Sequence, residues 1–465
     1  MRSLVLLLMA AGLAPAATYY VAADGGSDSN NGSISAPFAT INHGIRVANA
    51  GDSVYVRGGT YHAAVYIGPS AGGTSGNPLV ISGYPGETAI VDGQDTLPGG
   101  PYPAHLYDPL FLVEGSYVTL QDLTIQNSTG MGLKIRGSYN LVQRIKSYGN
   151  SENGILLTTG SYNTVQDSTL YNNCKWHVNG QDTPDGFYAS GLSSARGGAS
   201  HNTIRRNTVS LTWGEGISSF ESTDDTFEDN VAYDNWQNIY ISDTSNTLVQ
   251  RNLAYCTDGN PMQSLTEQHG FMLDDEISSP PSGYNTVINN LAYGCTGAFA
   301  AGAKQLNNVL IANNTFAQAN SGNSAAATFI LWSNGAAVNS RIENNVIYQG
   351  DSRPVFSGSG RGIVWANNVW SKAPAPSALG TGSVVADPLL AQAEPVGPGT
   401  LSYAWFVLQA GSPAIGIALS PPEVVEDYTT ALRDANPDAG GLEYGAVSPA
   451  FDRERNNRTL PVPGR

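Results

Sequence analysis

A column of asparagines in the middle of the chain limits the fold more than any other feature. Asn207, Asn230, Asn252, Asn290, Asn314, Asn345 and Asn368 each follow a short β-prone stretch and precede a small apolar one. The strings include NTIRRNTVS, DTFEDNVAY, NTVINNLAY and NSRIENNVIY, at steps of 23, 22, 38, 24, 31 and 23 residues. A period of that size, made of strands and turns with little helical pattern, predicts a β-solenoid. Each period is one rung, and rungs stack at about 4.8 Å. Asparagine suits this place because stacked side-chain amides hydrogen-bond up and down a ladder.

A second column supplies the geometry. Gly132, Gly154, Gly186, Gly216, Asn238, Gly270 and Gly297 each open a strand. Alternation along those strands turns Ile155, Phe187, Ile217, Ile239 and Phe271 inward and Leu156, Tyr188, Ser218, Tyr240 and Met272 outward. The Gly186 and Gly270 rungs carry insertions on both sides of their strands, and the two rungs between them are bare. Three rung spacings, about 14 Å, then separate two walls of a trough. Loops on a rigid scaffold commonly carry function, so this trough is the expected site.

The ends differ from the middle. Residues 1–16, MRSLVLLLMAAGLAPA, read as a secretory leader with a small-x-small cleavage site. Phe38, Ile41, Ile45 and Ala48 have helical spacing and predict a short amphipathic helix within an N-terminal cap over 17–60. The solenoid is expected over 61–370, followed by a Pro- and Gly-rich closing cap and tail over 371–465. A net charge of −16 opposes nucleic acid and anionic membranes as partners. An exported monomer that does not enter the membrane is expected. Of three cysteines, Cys256 and Cys295 follow equivalent segments of adjacent rungs, so they either bridge or sit as buried thiols; Cys174 is left over.

The opening TYYVAADGGSDSNNGSISAPFATINHGI, the Asn-rich rungs and the closing ADPLL…FVLQAGSPAI…LEYGA resemble the right-handed parallel β-helix superfamily of pectate lyases, chondroitinase B and alginate lyases. The resemblance covers nearly all of the chain after the leader. It implies an all-β single solenoid and a secreted protein acting on polysaccharides, often with a Lys or Arg base and calcium. No basic residue is assigned to the trough floor, and Lys175 and Arg196 are placed in its loops as candidate bases. Asp185-Gly186, Glu215-Gly216 and His269-Gly270 resemble the aspartate and histidine arrangement of polygalacturonase-like hydrolases.

The candidate chemistry follows from these columns. Asp185 and Glu215 each precede a column glycine on what read as successive rungs. Stacked carboxylates raise one pKa, which a general acid requires. Either residue is equally an ordinary turn former. His269 falls in the same column two rungs beyond Glu215, across Gln237, where it would orient a sugar or relay a proton. Asp243, Asp274 and Asp275 form an acidic edge that would bind Ca2+ or simply face solvent. Trp176, Tyr188, Trp213, Phe220, Trp236 and Tyr240 are candidate platforms for sugar rings, or packing beneath loops. The expected function is polysaccharide binding and cleavage, by paired-carboxylate hydrolysis or calcium-assisted elimination. The alternative is a non-catalytic glycan-binding or surface-layer protein.

Overall fold

The computed structural model describes residues 15–99, 107–175, 189–263, 267–277, 282–302, 306–332 and 337–446. Most of the expected leader, and residues 447–465, lie outside these. The chain winds into a right-handed parallel β-helix with three sheets of 13, 11 and 13 strands. One rung shows the pattern. Val118–Gln121 lies in sheet 1, Leu123–Gln126 in sheet 3 and Met131–Ile135 in sheet 2. Leu120, Ile125, Leu133 and Ile135 are buried, while Thr119, Gln121 and Thr124 face outward. Period-2 alternation therefore builds a continuous apolar column inside the solenoid.

The corner between sheets 1 and 3 turns on one residue in the left-handed region. Asp122, Arg144, Asp167, Arg206, Asp229 and Arg251 hold it in successive rungs, at φ between 52° and 58°. Aspartate tolerates that conformation because its short side chain bonds locally. The arginines are held by the aspartate one rung below: Arg144 to Asp122 at 2.7 Å, Arg206 to Asp167 at 2.8 Å and Arg251 to Asp229 at 3.1 Å. Asn207, Asn230, Asn252, Asn290, Asn314, Asn345 and Asn368 each follow this corner residue and are fully buried. Every amide in the column donates to the next Oδ1, from Asn207–Asn230 at 3.2 Å to Asn345–Asn368 at 3.0 Å. The ladder expected from the sequence is present in full.

Asn290 carries a stability prediction. It donates to Asn314 Oδ1, Val249 O and Ile288 O, and accepts from the Asn252 amide N–H at 2.9 Å. Asn290→Ala orphans several buried groups at about 1–3 kcal/mol each, so a loss of about 3 kcal/mol is expected in urea unfolding. A loss under about 1 kcal/mol would show that the ladder is dispensable.

At the N-terminal end, Ile41–Val47 forms the expected helix. Thr40 caps it by accepting from the His43 amide, and Ile41 and Ile45 are buried against the first rungs. At the far end, the short helix Pro376–Leu379 and the strand Val384–Val385 finish the stack. Residues 387–446 do not lie over that end. They run back along the flank of sheet 3, where Leu390, Leu401, Phe406, Tyr428 and Leu442 pack on Tyr233, Tyr255, Leu291, Val346 and Val369. The outward face of those strands is apolar, so it needs a cover, and the C-terminal strap supplies it. Cys256 and Cys295 form a disulfide across adjacent rungs, and Cys174 is buried outside it. Among the described residues no helix is long and apolar enough to cross a membrane.

Candidate active site

Sheet 2 presents its outward face as a row of residues in register. Lys134 pairs with Leu156, Leu156 with Ser193, Ser193 with Ser218, Ser218 with Tyr240, and Tyr240 with Met272. A cavity of about 320 Å³ lies on the first five of these. Its walls include Glu215, Ser190, Arg196, Phe220 and Glu276.

The register corrects one sequence expectation. The rung before Glu215 contributes Leu192–Ala195, not GFYAS, and Leu192 pairs with Ile217. Ser190, not Asp185, therefore stands opposite Glu215. Two strings in that insertion, DGFYAS and SGLSSA, share the glycine-opened alternating pattern. The second wins because its Leu192 fills the interior column between Ile155 and Ile217. Asp185, Trp176 and Tyr188 lie outside the described residues. The insertion expected after the Gly186 strand, over 191–201, is instead the strand and the turn that follows it.

Glu215 occupies the cavity wall with 8% of its surface exposed. The Ser190 hydroxyl donates to its Oε2 at 2.9 Å. Burial pushes its carboxyl up to about 7; the Ser190 bond opposes this and the charge of Glu276 adds to it. Glu276 stands at the exposed rim. The Tyr240 hydroxyl donates to its Oε1 at 2.6 Å. Partial desolvation raises the Glu276 carboxyl, the Tyr240 bond opposes that, and the charges of Asp274 and Asp243 reinforce it. Arg196 ion-pairs with Glu221 at 3.2 Å, lies 5.0 Å over the Phe220 ring and favours the charged form of Glu276. Two carboxyls thus share one cavity, one deep and one at the rim.

Lys134 lies at the other end of the cavity. The sequence reading missed it, although GLKI places Lys134 outward between inward Leu133 and Ile135. It sits two rungs before the first looped wall of the expected trough. Its ammonium donates to Tyr107 O at 3.4 Å. Burial holds its pKa below the usual lysine value, with help from the Arg136 charge and opposition from Asp108. Three rung spacings, about 14 Å along the axis, separate the Lys134 and Ser218 rungs.

The remaining candidates divide. Phe220 and Tyr240 line the cavity. Trp213 and Trp236 are half-buried at the corner entering sheet 2 and do not line it. Lys175 pairs with Asp95 and also stands outside the lining. His269 keeps the predicted column, since Glu215 pairs with Gln237 and Gln237 with His269. It opens, however, onto a second cavity, and Gln237 stands between the two. His269 Nδ1 donates to Gln237 Oε1 at 3.0 Å, and burial depresses its pKa to about 3, so the ring is neutral.

The acidic edge does not fit a calcium site. Asp243 accepts from the Ser242 hydroxyl at 2.8 Å and from the Glu276 and Ile277 amides at 2.9 and 3.0 Å. Burial opposes its ionisation, but those bonds and one from the Asp275 side chain hold its carboxyl below the usual range. Asp274 Oδ1 accepts from the Asp275 amide at 2.9 Å. The Asp243 and Asp274 carboxylates accept amides of the 274–277 turn, whereas calcium requires several oxygens converging on one point. No group of three or more His, Cys, Asp or Glu side chains among the described residues is arranged to hold a metal ion.

Comparison with known proteins follows the same pattern. A pectate lyase, PEL9, of Emericella nidulans is 34% identical over 167 residues, covering 30% of this chain and 40% of that protein. The uncharacterized protein YwoF of Bacillus subtilis is 30% identical over 128 residues, 26% of each chain. The chain thus spans about two fifths and one quarter of the length of these curated relatives. The crystal structure of pectate lyase Pel9A superposes with a TM-score of 0.56 at 18% identity, over 93% of this chain and 98% of that one. XylC in complex with xylose gives 0.53 at 12% identity, over 92% and 98%. At such identities the likeness is one of fold. The model of the Pel9A-like right-handed β-helix region matches residues 19–323, and the chain belongs to that family.

Proposed function

We propose that this protein is an exported enzyme that cleaves a polysaccharide in the sheet 2 cavity, with Glu215 as general acid. The observation that carries the reading is a buried carboxyl, raised to about 7, that still lines an open cavity shared with a second carboxylate. A general acid needs a pKa near the working pH. Glu215 would protonate the glycosidic oxygen, and Glu276, at the exposed rim of the same cavity, would serve as base or nucleophile. Tyr240 fixes Glu276, and Phe220 supplies an aromatic wall for a sugar ring. The leader sequence in residues 1–16 supports export, and the pectate lyase relative supports a glycan substrate.

A second reading rests on Lys134. A lysine with a lowered pKa is suited to abstract a proton beside a uronate carboxylate, which is elimination. The products separate the two. Hydrolysis releases reducing ends only, and elimination also leaves an unsaturated sugar absorbing in the near ultraviolet. A panel of neutral and acidic polysaccharides, with and without chelator, is to be assayed with wild type, Glu276→Gln and Lys134→Met. Hydrolysis predicts reducing ends that Glu276→Gln lowers by about 10²-fold or more and Lys134→Met leaves near wild type. Unsaturated product that vanishes only in Lys134→Met would establish elimination. Cleavage of nothing in the panel by wild type would leave a glycan-binding protein.

A further inference from the structure

The second cavity, on the same face of sheet 2, has no part in the chemistry above. It encloses about 480 Å³ and is lined by His269, Thr296, Asn323, Ile330, Trp332 and Glu267 among others. Its position is set by the same register: Met272 pairs with Ala300 and Ala300 with Ile330. The Ile330 rung lies four spacings beyond the Ser218 rung, about 19 Å along the axis. A pyranose unit of an extended glycan is about as long as one spacing, so a chain lying along this face meets both cavities.

The lining is built for a polar, uncharged ring. Trp332 is half-buried and stands edge-on to His269, with ring centres 5.6 Å apart. Thr296 is 2% exposed, and its hydroxyl has no hydrogen-bond partner among the described residues. A buried hydroxyl left unpaired costs about 1–3 kcal/mol, which a ligand hydroxyl would recover. Among the described residues no lysine or arginine lines this cavity, and the one formally charged residue among them is the acid Glu267. A uronate carboxylate would meet that charge uncompensated. The first cavity differs, since Lys134 and Arg196 both line it.

From this geometry we infer that the second cavity is a subsite for a neutral pyranose, several units away from the bond cleaved at Glu215 and on the same chain. The inference rests on the first cavity being the cleavage site. It makes the enzyme one that grips the interior of a long glycan, neutral on the side that runs toward Trp332.

The test measures binding and cleavage separately. Oligosaccharides of increasing length from xylan, mannan, cellulose and polygalacturonate are titrated calorimetrically into Glu215→Gln, with and without Trp332→Ala or Thr296→Val. Neutral oligomers long enough to span both cavities are expected to bind more tightly than short ones. Trp332→Ala should weaken the long ones about tenfold, or 1.4 kcal/mol, and leave the short ones unchanged. Thr296→Val keeps the side-chain shape and removes the unpaired hydroxyl, so it should weaken the long ones severalfold without lowering the melting temperature. Equal binding of long neutral oligomers by all variants, or equally strong binding of polygalacturonate oligomers in this cavity, would overturn the subsite. If the Trp332 effect appears but Glu215→Gln still cleaves, the subsite stands and the catalytic assignment fails. If no oligomer in the panel binds, both fail.

Discussion

Glu215→Gln is expected to lower the cleavage rate by about 10²–10⁴-fold while leaving oligosaccharide affinity close to wild type, because the amide keeps the shape and cannot donate a proton to the leaving oxygen. Wild-type activity should fall as pH rises through about 7, where the acid ionises. The same carboxyl leaves a mark on stability that does not depend on substrate. Its folded pKa lies above the ordinary carboxyl value of 4.5, so its contribution is fully present below that value. Between 4.5 and about 7 the unfolded chain ionises while the folded one stays protonated, and stability is lost. The loss totals about 3 kcal/mol above neutral pH. Glu215→Gln has no such group. Its stability relative to wild type should therefore rise by about 3 kcal/mol between pH 4 and pH 8 in parallel urea titrations. A flat difference across that range would mean that Glu215 is not buried as described, and the acid role would fall with it.

Arg433→Ala should release the C-terminal strap. The guanidinium is 4% exposed and Glu443, its ion-pair partner at 3.0 Å, is 5% exposed. It also donates to Asn289 Oδ1 at 2.9 Å, Asp438 O at 2.9 Å, Gly440 O at 2.8 Å and Glu426 O at 3.1 Å. Four of those five acceptors belong to the strap and one to a corner residue of the solenoid, so the side chain fixes the strap's fold and ties it to the rungs. Removing it leaves Glu443 buried and uncompensated, at a cost of about 3–5 kcal/mol. Amide exchange within 419–443 should quicken by about a hundredfold or more, while exchange within the Asn ladder is unchanged. Arg433→Lys should recover little, because one ammonium does not reach acceptors spread around a planar fork. Unaltered exchange in the strap would show that the apolar contacts alone hold it.

The legible parts of the site were those set by short-range alternation. Phe220, Tyr240 and Arg196 were assigned to the trough and do line the cavity. The Glu215–Gln237 step was read from two bare rungs, where the count of residues between strand openings leaves no choice, and His269 keeps the column beyond an insertion. The Asp185 assignment failed where an insertion made two strings compete for one rung. Their local patterns are equivalent, and only the interior gap between Ile155 and Ile217 distinguishes them. Lys134 is legible in GLKI as an outward residue, but its rung lies outside the looped walls. The loops that mark a trough in sequence need not coincide with the ends of the cavity. The acidic edge was grouped correctly as neighbours, and its turn hydrogen bonds, which occupy the carboxylates, were not foreseeable from spacing.

The chain by itself determined the solenoid and its ladder. Those depend on a period of about one rung, an inward apolar residue at every second position, and an amide at each corner, all of which are local properties repeated. Tertiary structure alone decided which carboxyls share a cavity, that Cys256 and Cys295 are joined, and that the C-terminal segment covers a flank instead of an end. Those outcomes depend on how insertions are accommodated and on which exposed apolar surface lies within reach. They are settled by packing between residues far apart in the chain, which no periodicity encodes.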